Sequence, residues 1–238
     1  MVVKTFITRC AVGFLAVGLM VLSVHATPIG PVRPDMGRFS LEFEVASDRR
    51  EMVVSNNGAD KREVENLYLL SRASYGMTDN VEITVRLGAT GMDYVDRVDN
   101  NGTETTFGGS SQLTWGIGIG AILYDAGTWN LGGVANYLSH NNHSGSWPGV
   151  GSGGNDIDYR EWNLGIQAQG KFDRFIPYVG VKYSDARVDF ETIGGAGGFP
   201  PDEAENHTGI YIGSRWDVNP QWSTYLEGRF IDETSGGG

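Results

Sequence analysis

Apolar and polar residues alternate along this chain in repeated stretches. The clearest runs from Val81 to Ala89, where Val81, Ile83, Val85, Leu87 and Ala89 alternate with Glu82, Thr84, Arg86 and Gly88. A period of two places the two sets on opposite faces of a β-strand. The same pattern predicts nine strands: Arg38–Asp48, roughly Val64–Met77, Val81–Tyr94, Ser110–Tyr124, Thr128–Ser139, Tyr159–Phe172, Phe175–Phe190, His207–Trp216 and Trp222–Asp232. Their connections alternate in length. Short ones cover 76–80, 125–127, 173–174 and 217–221; long ones cover about 49–63, 95–109, 140–158 and 191–206.

Short turns at one end and long loops at the other suit an antiparallel up-and-down transmembrane β-barrel, with the turns in the periplasm and the loops outside the cell. Aromatic residues flank every short turn: Tyr75, Tyr124, Trp129, Phe172, Phe175, Trp216 and Trp222. They are expected to form the periplasmic aromatic girdle. Alternation alone does not say which face points outward, and a soluble barrel with an apolar interior gives the same period. The rim aromatics and the loop asymmetry favour the membrane barrel.

The N-terminus points the same way. Lys4 and Arg9 precede the apolar stretch Ala11–Val24, and Val24-His25-Ala26 is a small-residue cleavage site. Residues 1–26 therefore read as a secretory signal peptide. They leave a short periplasmic segment, 27–37, and a barrel over 38–238. Cys10 falls in the leader, so a mature chain has no cysteine and no disulfide framework. The leader takes two positive charges with it, so a formal charge of −11 becomes −13. Such an acidic chain argues against nucleic-acid partners. No other apolar run approaches a transmembrane helix, so a membrane protein of this composition must cross with strands.

At YGMTDNVEITVRLG (75–88), FIPYVGVKYSD (175–185) and NPQWSTYLEGRFIDE (219–233), the chain resembles the small bacterial outer-membrane barrels, the OmpA-like or "porin family" proteins. The resemblance covers nearly all of the mature chain. It implies residence in the outer-membrane bilayer, insertion by the barrel-assembly machinery, and periplasmic termini. Such barrels usually end on a strand whose last residue is Phe or Tyr, whereas here the ninth strand runs into Asp232–Gly238. Nine alternating strands would leave the first and ninth parallel. The expectation is a barrel of about ten strands whose closing strand is missing from this sequence, with eight strands as the alternative.

By strand parity the inward set includes Glu42, Glu44, Arg72, Glu82, Arg86, Glu161, Lys171, Lys182, Arg215, Glu227 and Arg229, five acids and six bases. Gly116, Gly118 and Gly120 share that face. A narrow barrel is filled by its own side chains, and mixed charges in that space should pair. The expected result is an ion-pair network that plugs the lumen; a narrow gated ion path through the same residues is the alternative.

The long loops carry surplus acid, including Asp96, Asp99, Glu104, Glu191, Asp202, Glu203 and Glu205, which can be simply solvated or can bind divalent cations. His140, His143, Ser144, Asp156, Asp158 and His207 could gather at the loop rim, but no catalytic motif accompanies them. No catalytic residue, cofactor or metal site is assigned. The reading is a structural or surface-interaction barrel of the outer membrane, with an unidentified extracellular ligand. A narrow-pore porin is the alternative, and a surface protease or lipid-modifying enzyme is the third.

Overall fold

The computed structural model describes residues 29–32, 34–54, 61–96, 105–108, 111–144, 155–192, 201–204, 207–217 and 223–230. The strands are β1 (Phe39–Val54), β2 (Lys61–Gly76), β3 (Val81–Asp96), β4 (Thr105–Gly108), β5 (Gln112–Asp125), β6 (Trp129–Ser144), β7 (Asn155–Gly170), β8 (Phe175–Thr192), β9 (Asp202–Ala204), β10 (Thr208–Asp217) and β11 (Ser223–Phe230). Each long strand pairs antiparallel with its neighbour, in the order β11-β10-β8-β7-β6-β5-β3-β2-β1-β9, and β4 pairs with β3. Short β9 also pairs with β8. It therefore closes β1, β2, β3, β5, β6, β7 and β8 into a ring of eight strands. Below it, β10 and β11 continue the sheet from the turn-end half of β8, through Phe175–Tyr183. Strands β1 and β11 run in the same direction and do not pair with each other among the described residues.

The wall is inside out compared with a soluble barrel. Phe43 is 70 % exposed, and Ile117 and Val181 are each 54 % exposed, while Glu44, Arg86 and Lys182 on alternate positions are 2 % exposed. Aliphatic side chains facing outward and charges facing inward satisfy hydrocarbon outside and a polar lumen within. The turn-end aromatics Tyr75, Tyr124, Trp129, Phe172, Phe175 and Trp216 are all exposed; the side chain of Trp222 lies outside the described residues.

A second aromatic row lies nearer the loop end. Trp115 meets Tyr137 with ring centroids 5.4 Å apart, and Trp162 meets Tyr183 at 5.4 Å. Tyr137 and Trp162 are register partners, and Tyr183 stacks on His207. On β8 the two rows are marked by Phe175 and Tyr183. That interval is about 27 Å along a strand at ~3.4 Å per residue, or roughly 20 Å along the normal at a tilt of about 40°, near the apolar band of such barrels.

Past the second row the faces exchange character. Asp158, Arg160, Asp185, Arg187 and Asp189 now point outward. Met52, Val64, Met92, Ile157, Val188 and Ala204 point inward and form one buried cluster with Tyr159 and Ala186. This exchange explains where the observed strands exceed the expected ones. β1 continues to Val54, β2 begins at Lys61, and β6 and β7 extend to Ser144 and from Asn155, into stretches read above as loops. There the outward positions are polar, so the sequence no longer looks like a membrane strand although the backbone ladder continues.

Candidate functional site: the filled lumen

Strand parity delivers the lumen's side chains in tiers. In the turn-end tier, Glu42 on β1 lies 3.7 Å from Arg72 Nη1 and accepts from Arg215 Nη1 at 2.7 Å. Arg72 Nη2 lies 3.5 Å from Glu82, and Arg86 Nε donates to Glu44 at 3.1 Å. Arg86 Nη1 also donates to Asn136, whose amide donates on to Asn163. A Cβ at Gly118 would overlap the Asn136 and Thr84 side chains, and one at Gly116 would meet Leu138.

In the middle tier, Arg50 Nη2 donates to Glu161 at 3.0 Å, and Tyr159 donates to the other oxygen of Glu161 at 3.3 Å. Arg229 Nε donates to Glu227 at 3.0 Å. Asp48 and Lys182 are buried beside them. His140 stacks on Tyr159 with centroids 4.8 Å apart and takes the edge of Tyr68 at 6.0 Å. The apolar cluster forms the third tier, toward the loop end. Among the described residues the two charged tiers hold six acids (Glu42, Glu44, Asp48, Glu82, Glu161, Glu227) against six bases (Arg50, Arg72, Arg86, Lys182, Arg215, Arg229), so these tiers have no net formal charge.

A further occupant comes from the N-terminal segment. Residues Ile29–Val32 are buried within the lumen, although the segment 27–37 reads in sequence as merely periplasmic. Glu227 accepts the backbone N–H of Ile29 at 2.9 Å and of Gly30 at 3.0 Å. The Gln169 side-chain amide accepts from Val32 N–H at 3.0 Å and donates to Val32 C=O at 2.7 Å. Gln167 donates to Gly30 C=O, and Arg72 donates to Ile29 C=O. Gly120 and Gly132 lie against the two methyl groups of Val32, on adjacent strands. Only a residue without a side chain fits at Gly30: its φ is +74°, and a Cβ there would overlap the Arg72 guanidinium.

Lys171 is a correction to the inward set. Strand β7 ends at Gly170, so parity no longer applies, and Lys171 lies exposed at the turn, donating to Asp125 at 2.7 Å. That hydrogen bond, with a second from Gly127 N–H, holds the Asp125 carboxyl below the usual carboxylate range. Sequence reasoning missed Arg50, because residues 49–63 were read as a loop, and it missed Arg62, which donates to the buried Asp202 at 3.1 Å. Asp48 obeyed the same parity as Glu42 and Glu44 and was legible. Of the rim residues, His140 faces the lumen, whereas Asp158 and His207 lie on the outer side of the wall. The side chains of His143, Ser144 and Asp156 lie outside the described residues. Among the described residues no three acids, histidines or cysteines are arranged to hold a metal ion.

Residues 138–198 match the family model described as Chlamydia major outer membrane protein, a minority of the chain. Against solved structures, the chain resembles the outer membrane protease OmpT from Escherichia coli at 14 % identity, over 80 % of each chain, with a TM-score of 0.44. Comparison with curated protein sequences finds no match. The outward aliphatic wall, bounded by two aromatic rows, and the family match agree on the setting. The protein is an outer-membrane β-barrel. Its outer surface between the two aromatic rows is therefore solvated by lipid, and among the described residues buried polar chemistry accumulates in the lumen.

Proposed function

We propose that this barrel is closed, and that it serves as a structural and surface-presenting element of the envelope rather than as a conduit. The observation that carries the reading is the mid-lumen pair Arg50–Glu161, whose side chains are 0 % and 2 % exposed. Charges that line a conducting path must face mobile water. Here they face each other at contact distance, with an apolar cluster above and the Ile29–Val32 segment below. In this reading the turn end is periplasmic and the loop end is outside the cell. Residues 1–26 are a leader removed after Ala26, the barrel-assembly machinery inserts the chain, and a further strand lies between β1 and β11. In this reading it belongs with the small OmpA-like barrels.

The test is single-channel recording of the folded protein in planar bilayers, with heat-modifiable gel mobility as the control for folding. A folded, silent barrel is the expected result. Steady discrete openings that shift on Glu82→Gln would overturn it in favour of a narrow pore. That alternative takes its support from a recess at the turn end, lined by Ser40, Glu42, Arg72, Ser74, Glu82 and Arg215. A surface enzyme would have to draw on loop-end groups. His140 is walled in by two tyrosines, so the residues whose replacement tests this third reading are His143, Ser144 and Asp156.

A further inference from the structure

The Ile29–Val32 segment is held in an unusual manner. Among the described residues it forms no ladder with any strand; its backbone groups are matched by side chains instead. Gln169 contacts both the N–H and the C=O of Val32, as a paired strand would. Glu227 takes two consecutive N–H groups. Gln167 and Arg72 take the two carbonyls between them. Two of these readers are themselves oriented: Tyr178 donates to Glu227 at 2.9 Å, and Tyr211 donates to Gln167 at 2.9 Å. Those tyrosine rings lie over Gly213 and Gly180 of the neighbouring strand and pack with Ile29 in one buried cluster. Recognition is thus directed at the main chain of a segment that turns at Gly30, where φ is +74°, with Ile29, Pro31 and Val32 buried around it.

The elements that supply the readers matter as much as the contacts. Glu227 lies on β11, whose second edge is not paired with β1 among the described residues. Gln167 and Gln169 lie on β7, and Arg72 lies on β2. The segment therefore reaches across the lumen from β7, past β11, to β2, on the inner side of the seam where backbone pairing is lacking. We propose that the lumen base is a binding site for a short peptide, read through its main chain, and that the chain's own residues Ile29–Val32 occupy it as a latch holding the β10–β11 hairpin to β2. A latch held only by side-chain readers can leave without breaking a ladder, and the vacated site then accepts a second peptide of the same form.

The mature chain has no native cysteine, which gives a clean reporter. Val32→Cys is introduced into the full barrel, and labelling by a water-soluble maleimide is timed with and without Gly30→Val, which puts a side chain where Arg72 sits. Heat-modifiable mobility monitors the fold, and amide deuterium exchange follows residues 223–230. Labelling should be slow in the single variant and faster by about tenfold or more once the latch is expelled. Exchange in β11 should rise while that in β2 and β3 does not. An acetylated peptide of residues 27–32, added in trans, should bring the β11 exchange back down while the cysteine at 32 on the expelled latch stays quick to label.

If Gly30→Val fails to fold, Gln167→Ala with Gln169→Ala removes three main-chain hydrogen bonds without adding bulk. The same rise in labelling and exchange is expected, and because the readers are gone the peptide should lower neither, so rescue by the peptide in this variant would overturn the main-chain reading. Equal labelling with and without the disrupting change would overturn the latch. Raised β11 exchange in the Gly30→Val barrel that the peptide does not lower would overturn the binding site. These readouts are independent of conductance, so their failure is distinguishable from failure of the closed-barrel reading.

Discussion

The pair Arg50–Glu161 shows what a single lumen residue has to do. Removing two charges from water costs several kcal/mol per ion, which their attraction recovers only when both partners are present and well placed. Arg50→Ala leaves Glu161 buried with its closest cation gone, so a loss of about 3–5 kcal/mol is expected. It should appear as a lower temperature for the shift in heat-modifiable gel mobility. Replacing both, as Arg50→Met with Glu161→Leu, should return stability toward or above the native value, since an apolar pair of similar volume carries no desolvation cost. If the double variant is no better than the single one, the pair is not the energetic unit described here.

At the turn, Asp125 offers the opposite case, exposed and local. Its folded pKa is lowered, so its contribution is present above the unfolded value and is lost as pH falls through the folded one. Lys171→Ala should move the Asp125 titration upward, as read by the NMR shift of its carboxyl carbon. Parity made Glu82 and Arg86 legible as lumen residues from the sequence. It misplaced Lys171, because the strand stops one residue earlier and alternation says nothing about a turn.

At the scale of elements, the least legible part was short β9. Three residues in a Gly-, Pro- and acid-rich segment carry no periodic signal, yet they join β1 to β8 and close the ring. What holds them is tertiary: Asp202 is fully buried against Arg62, and Ala204 fits into the apolar cluster. Val53 and Glu203 are register partners across β1 and β9. Antiparallel partners lie about 4.5–5.5 Å apart between Cα atoms, within the span of a disulfide. Val53→Cys with Glu203→Cys should therefore cross-link on mild oxidation, seen as a mobility shift on a non-reducing gel; two free thiols in a folded barrel would contradict the β9 register. The nine long strands were legible because lipid imposes a strict outward pattern on them. Their loop-end extensions were not, because water imposes the reverse.

For the whole molecule, two aromatic rows and the aliphatic wall between them fix its depth in the bilayer. Brominated lipids measure this directly. Bromines near the headgroups should quench the fluorescence of Trp115, Trp129, Trp162 and Trp216 more than bromines at the chain ends do, and the reverse ranking would place the rows wrongly. Between the rows, Val85→Arg puts a charge on the lipid face near mid-depth and should cost about 2–4 kcal/mol, measured by equilibrium unfolding in lipid. The same substitution at Asp185, beyond the loop-end row, should cost far less, because that face meets water.

The exchange of faces beyond the second aromatic row decides what kind of surface a passing molecule would meet. Strand β8 continues from Tyr183 to Thr192, and β7 begins at Asn155, with polar side chains outside and a dry core within. With the loop end outside the cell, the described strands would present a sheet-built turret there. Its side wall would carry Asp158, Arg160, Arg187 and Asp189 at fixed spacing on paired strands. Antibodies raised against the folded barrel should then recognise shape: they would bind the native wall, ignore linear peptides of the same sequence, and lose their target when the protein is boiled.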